Sequence, residues 1–132
     1  MKKLLLTFSL LVFNFTAMAG IPDLHDYTTI ALCSSFGHII QVYQNNQKLN
    51  DGFISYELLN REVSAPMNFV KAEITEINKV IYIESLPNQN FELSLTLDKS
   101  KPVYKNSIYF FVPEIKSSIP RLEKLNFGCN LH

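Results

Sequence analysis

The chain has 132 residues, with 12 basic and 12 acidic side chains and only two cysteines. A near-neutral balance gives no general reason to expect nucleic acid or an anionic membrane as a partner. The length suits one domain and excludes two comfortable cores.

The first nineteen residues form an export signal: Lys2 and Lys3, an apolar run from Leu4 to Phe13, and Ala17-Met18-Ala19 before Gly20, with cleavage expected after Ala19. A membrane anchor is the competing reading. The run is near the short end for a bilayer span and is interrupted by Thr7, Ser9 and Asn14, and later apolar runs are only about five residues long, so no stable anchor is expected after cleavage. No cysteine stands at the cut to carry a lipid. The Asn14-Phe15-Thr16 sequon lies inside the removed segment, and the mature chain has none. Removing 19 of the 132 residues leaves 113, and losing Lys2 and Lys3 leaves 10 basic against 12 acidic residues, a net charge of −2. The expected layout is a signal peptide over 1–19, an extended lead-in over 20–27 and a single β-domain over 28–132. The expected location is secreted or periplasmic.

Past the lead-in, which contains Pro22, the pattern is short and β-like. Thr28 to Ser34 alternates, Ile30 and Leu32 on one face against Ala31 and Cys33 on the other. Ser34-Ser35-Phe36-Gly37 reads as a turn. His38 to Gln44 and Phe53 to Leu59 form a hairpin across a polar stretch that closes on Asn50-Asp51-Gly52. Phe69 to Thr75 and Lys79 to Ser85 form a second hairpin around Glu76, Ile77 and Asn78. From Phe91 to Asp98, Phe91, Leu93, Leu95 and Leu97 alternate with Glu92, Ser94, Thr96 and Asp98, which gives a strand in a sheet with one wet side.

Lys99 to Ser107 reads as a polar loop with Pro102. Ile108 to Val112 is a continuous apolar run stopped by Pro113, a strand buried on both faces or an edge facing a partner. Ser117-Ser118 and Pro120 break the chain before a last strand, about Lys124 to Asn130, with Leu125, Phe127 and Cys129 on one face. A short helix from Pro120 to Leu125, capped by Ser118 and helped by Glu123, is the alternative there. Seven or so strands with turns between them predict an all-β antiparallel sandwich or small barrel.

In an oxidising compartment, the isolated pair Cys33 and Cys129 is most simply a disulfide. A metal site or thiol nucleophile would need further soft ligands or a nearby base, which the sequence does not supply. Joining the first strand to the last, the bond would bring the sheet edges together and favours a closed or nearly closed barrel.

Catalytic patterns are weak. His25, His38 and His132 belong to no specific metal motif, and Asp23, His25 and Asp26 lie in the lead-in where nothing fixes their geometry. His38 neighbours Ser34 and Ser35, but there is no G-x-S-x-G and no positioned carboxylate. Glu73 and Glu92 read as outward partners of apolar strand positions, and the four glycines form no phosphate loop. No catalytic, metal or cofactor site is therefore assigned.

One asymmetry remains. Lys99, Lys101, Lys105, Lys116, Arg121 and Lys124 against Glu114 and Glu123 give +4 over 99–124, while four basic and ten acidic residues give −6 in the rest of the mature chain. Such a field steers charged partners, although lysines also protect edge strands. Tyr104, Tyr109 and Phe111 lie among these lysines, as in an interface centre with a polar rim, unless the rings are core. The candidate binding face is Lys101, Tyr104, Lys105, Tyr109, Phe111 and Lys116. The expected function is binding of a protein or other envelope macromolecule, as an inhibitor-like or interaction module. The alternatives are a secreted hydrolase or metal-dependent enzyme, with His38 and Glu57 or Glu84 as its least poor residues, and a structural envelope subunit pairing through an edge strand.

Overall fold

A computed structural model describes residues 22–59 and 68–132; the expected signal peptide and the first residues of the lead-in lie outside the described residues. The chain forms β1 (Tyr27–Ser35), β2 (His38–Asn45), β3 (Asp51–Leu58), β4 (Asn68–Ile77), β5 (Val80–Ser85), β6 (Leu93–Asp98), β7 (Val103–Lys105), β8 (Ile108–Phe110), β9 (Glu114–Ser117), a one-turn helix α1 (Pro120–Glu123) and β10 (Gly128–Leu131). Eight strands build one antiparallel sheet in the order β10-β1-β2-β3-β4-β5-β6-β9, and β7 pairs with β8 alone. The protein is all-β, its main sheet curled into a half-barrel.

Period-two patterning produces this curl, because each strand of the meander turns its apolar set to the same concave side. Ala31 and Cys33, Ile40 and Val42, Val70, Ala72 and Ile74, Ile83, and Leu93, Leu95 and Leu97 meet inside, with Leu122 of α1 and Phe127 closing the core. In β6 the leucines are buried while Ser94, Thr96 and Asp98 are half-buried on the outer side. Gly52 serves close packing: a Cβ there would collide with the Tyr43 carbonyl and the Ile74 side chain.

Three hairpins close through two-residue turns whose residues both have positive φ: Phe36 (45°) and Gly37 (82°), Asn78 (51°) and Lys79 (67°), Asn106 (52°) and Ser107 (64°). This handedness matches the twist of the flanking strands. Asparagine tolerates it well; Phe36 does so at a cost and stays exposed.

Cys33 and Cys129 are disulfide-bonded, fully buried and directly opposed across β1 and β10, with Cα atoms 4.0 Å apart. The bond therefore joins neighbouring strands. β1 is interior to the sheet, so the expected tie between two edges is corrected: the edges are β10 and β9. The seam between them is narrowed by the backbone of Phe111, which donates its N–H to the Cys129 carbonyl (2.9 Å) and accepts the Cys129 N–H (2.7 Å). The chain then crosses at Pro113 into β9, which pairs with β6.

Three further expectations are corrected. The polar loop over Lys99–Ser107 contains β7, because Asn106-Ser107 forms a hairpin turn. The run Ile108–Val112 is not buried on both faces: Ile108, Tyr109 and Val112 are exposed, and among the described residues no second layer covers the hairpin. The last strand begins at Gly128, after α1, which has Pro120 in its first turn and lacks a side-chain cap. Ser118 instead accepts the Glu92 N–H at Oγ (2.9 Å) and donates its own N–H to the Glu92 carbonyl (3.0 Å). Glu123 accepts the Ser117 N–H (2.9 Å).

Candidate functional site

β7 and β8 stand off the main sheet as a two-stranded ribbon. Its approach is a tight turn in which Ser100 donates its N–H (2.9 Å) and hydroxyl (2.5 Å) to Asp98; these bonds hold the carboxyl below its usual range. Register pairs Val103 with Phe110, Tyr104 with Tyr109 and Lys105 with Ile108. Paired residues share a face, so Val103, Lys105, Ile108 and Phe110 lie on one side and the two tyrosines on the other. Phe110 anchors the ribbon on β10, where a Cβ on Gly128 would stand 3.2 Å from its ring. Tyr104 and Tyr109 have ring centroids 4.6 Å apart with planes tilted by 50°, yet remain 58% and 65% exposed.

The structure thus gathers Lys101, Tyr104, Lys105 and Tyr109 on or beside one hairpin. Lys101 is exposed, its Nζ 3.8 Å from Asp98, and Lys105 flanks the turn. Phe111 is different: half-buried against the core and hydrogen-bonded to Cys129, it roots the hairpin. Lys116 lies on β9 opposite Ser94, beside a groove of about 620 Å³ that Glu92, Glu114 and Glu123 also line, and is not part of the ribbon. Val103, Ile108 and Val112 are also exposed on or beside the hairpin; sequence reasoning reads Ile108 and Val112 only as part of an apolar run and does not single out Val103. The signal for them was the Asn106-Ser107 pair between two short apolar stretches.

His38 occupies a different environment. It is 6% exposed on the inner face, its Nδ1 2.7 Å from the Tyr56 hydroxyl and its ring parallel to Tyr56 at 5.9 Å. Burial, and secondarily the charge of Arg121, hold its pKa below the usual histidine value. Burial raises the Tyr56 phenol, against a smaller pull from Arg121. Ser35, opposite His38 across the turn, has a buried Oγ with no hydrogen-bond partner among the described residues. Glu57 pairs with Ile39 and Glu84 with Ser94, at positions one residue out of phase with the inner set. The carboxylates that could have worked with His38 are therefore on the other side of the sheet. In the lead-in, His25 donates its backbone N–H to Asp23 (3.0 Å). Among the described residues no three His, Cys, Asp or Glu side chains group as metal ligands.

Both main-sheet edges are obstructed. Phe111 occupies β10 at Cys129, and β9 is preceded by Pro113 and has its Ser117 N–H taken by Glu123. These are recognised ways of blunting an edge. Among the described residues no helix is long and apolar enough to cross a membrane. The disulfide suggests an oxidising, non-cytosolic compartment. No family model, curated protein or solved structure matches the chain.

Proposed function

We propose that the protein is exported and acts outside the cytosol by binding another macromolecule, most simply a protein, through the β7–β8 hairpin. The observation that carries this reading is the Tyr104–Tyr109 pair. Two rings in tilted contact across a ribbon, largely exposed, on a segment that also carries Lys101 and Lys105, resemble the aromatic centre and charged rim of an interface. An isolated two-stranded ribbon is marginal in water; Phe110 ties this one to β10, whereas the exposed tyrosines on the other face add little to that anchoring. The scaffold is read as a small β-barrel whose seam carries the contact ribbon. An enzyme reading finds less support, because His38 meets Tyr56 and not a carboxylate. Pairing through a main-sheet edge also finds less, because both edges are obstructed.

The test is affinity capture with the oxidised protein as bait, wild type beside Tyr104→Ala and Tyr109→Ala. Each variant should lose about 2 kcal/mol of binding, roughly thirtyfold in affinity, with wild-type thermal unfolding. Equal capture by all three proteins would exclude the hairpin as the contact, and unfolding of both variants would assign the rings to stability.

A further inference from the structure

We infer that the hairpin has a partner within this same sequence: the acidic outer face of β3–β5 on a second copy of the chain. The inference rests on the reading of the hairpin as a contact surface and specifies what meets it.

The two surfaces are complementary in charge. Between Asp98 and Glu114 the chain has three lysines and no carboxylate. Lys99 is paired with Glu76 at 2.5 Å and Lys101 makes a long, exposed contact of 3.8 Å with Asp98, which leaves Lys105, on the ribbon face opposite the tyrosines, as the lysine outside the ion pairs of the described residues. In the middle of the main sheet, register places Asp51 opposite Glu73 and Glu73 opposite Glu84, three exposed carboxylates in one row across three strands. Like charges directly opposed across strands are destabilising, and no lysine or arginine forms an ion pair with this row among the described residues. Lys71 sits one row away, opposite Phe53. Beside the row lie Tyr82, two residues from Glu84, and Leu86, both exposed at more than a third of their surface. An acidic face with partly exposed apolar side chains thus faces solvent on the same molecule that extends a basic, aromatic ribbon.

Within one molecule only Lys99, at the approach to the hairpin, is ion-paired with β4, through Glu76, and neither Lys101 nor Lys105 pairs with the carboxylate row among the described residues. The hairpin is rooted at β10, one end of the strand order, whereas β3, β4 and β5 are its middle members. The contact is therefore between copies and heterologous, so it propagates as an open chain unless the rotation closes a ring. A ribbon of this size buries less than a standard interface, which places the association in the weak, salt-sensitive class.

Sedimentation of the oxidised protein tests this. The weight-average mass should rise with concentration at ~20 mM salt and fall back toward the monomer at ~0.5 M, where screening is nearly complete over a few ångströms. Lys105→Glu and Glu73→Lys should each weaken association about tenfold. Mixing the two variants should restore it, because an intact hairpin on one then meets an intact acidic face on the other, and the two altered surfaces are also opposite in charge. A wild type that stays monomeric, variants that associate like wild type, or a mixture that does not recover would each overturn the inference. Tyr104→Ser with Tyr109→Ser separates the two levels. Self-association that needs the charges but survives loss of both rings would refute the tyrosine contact itself. A monomeric wild type would leave the hairpin free for a foreign partner.

Discussion

Replacing Cys33 and Cys129 together by alanine should remove about 4 to 5 kcal/mol of stability. The two residues are 96 apart in sequence, and in the chain-entropy model a cross-link of that span removes about 4.7 kcal/mol of unfolded-state entropy at 25 °C. The native side loses less. β10 remains paired with β1 through Ala31–Leu131, Leu32–Asn130 and Ser34–Gly128, and Phe111 still brackets Cys129 on its other side. Alanine isolates the cross-link better than serine, because both positions are fully buried and a serine hydroxyl there adds about 1 to 3 kcal/mol for an unpaired polar group. Urea unfolding is the assay. With a slope of about 1 to 3 kcal/mol per molar, the midpoint should fall by about 1.3 to 5 M. Against a typical domain stability of about 5 to 15 kcal/mol, the loss is between about a third and nearly all of the total. An alanine pair within about 1 kcal/mol of wild type, with an unchanged slope, would refute the disulfide as a main stabilising element.

Two further predictions follow from side-chain placement. Glu73→Gln removes the central charge of the Asp51–Glu73–Glu84 row and should stabilise the fold by about 0.2 to 1 kcal/mol, read as a raised urea midpoint that shrinks in high salt; a lower midpoint would mean that the carboxylate makes a favourable contact. His38 titrates below its ordinary value in the folded state, so the unfolded chain takes up the proton first. Its contribution is fully present above the unfolded pKa of about 6.5 and is lost as pH falls from there through the folded value. His38→Gln should flatten that acid limb of the stability curve, and an unchanged limb would assign it to other groups.

Information that is local in sequence predicted the fold well, and information that is non-local did not. The leucine alternation of β6 and the meander from β1 to β6 depend on period-two patterning and short turns, both visible along the chain. Ile108–Val112 could not be resolved that way, because an apolar run reads alike whether it faces a core or stands in solvent. Its exposure follows from a long-range event, the pairing of Phe111 with Cys129, which ends the ribbon at the seam. The site shows the same division. Lysines near Tyr104 and Tyr109 are evident from composition, and the Asn106-Ser107 turn makes the rings neighbours. Glu73 was legible as outward-facing, but its alignment with Asp51 and Glu84 depends on two registers. The β4–β5 register is set locally by the Asn78-Lys79 turn; the β3–β4 register spans a connection whose geometry no residue pattern specifies. A one-residue slip there would move Glu73 away from Asp51 and turn Val70, Ala72 and Ile74 toward water. The buried triad fixes the carboxylate row as a by-product of packing, and the like-charge cost of that row is the part of the structure that packing alone does not explain.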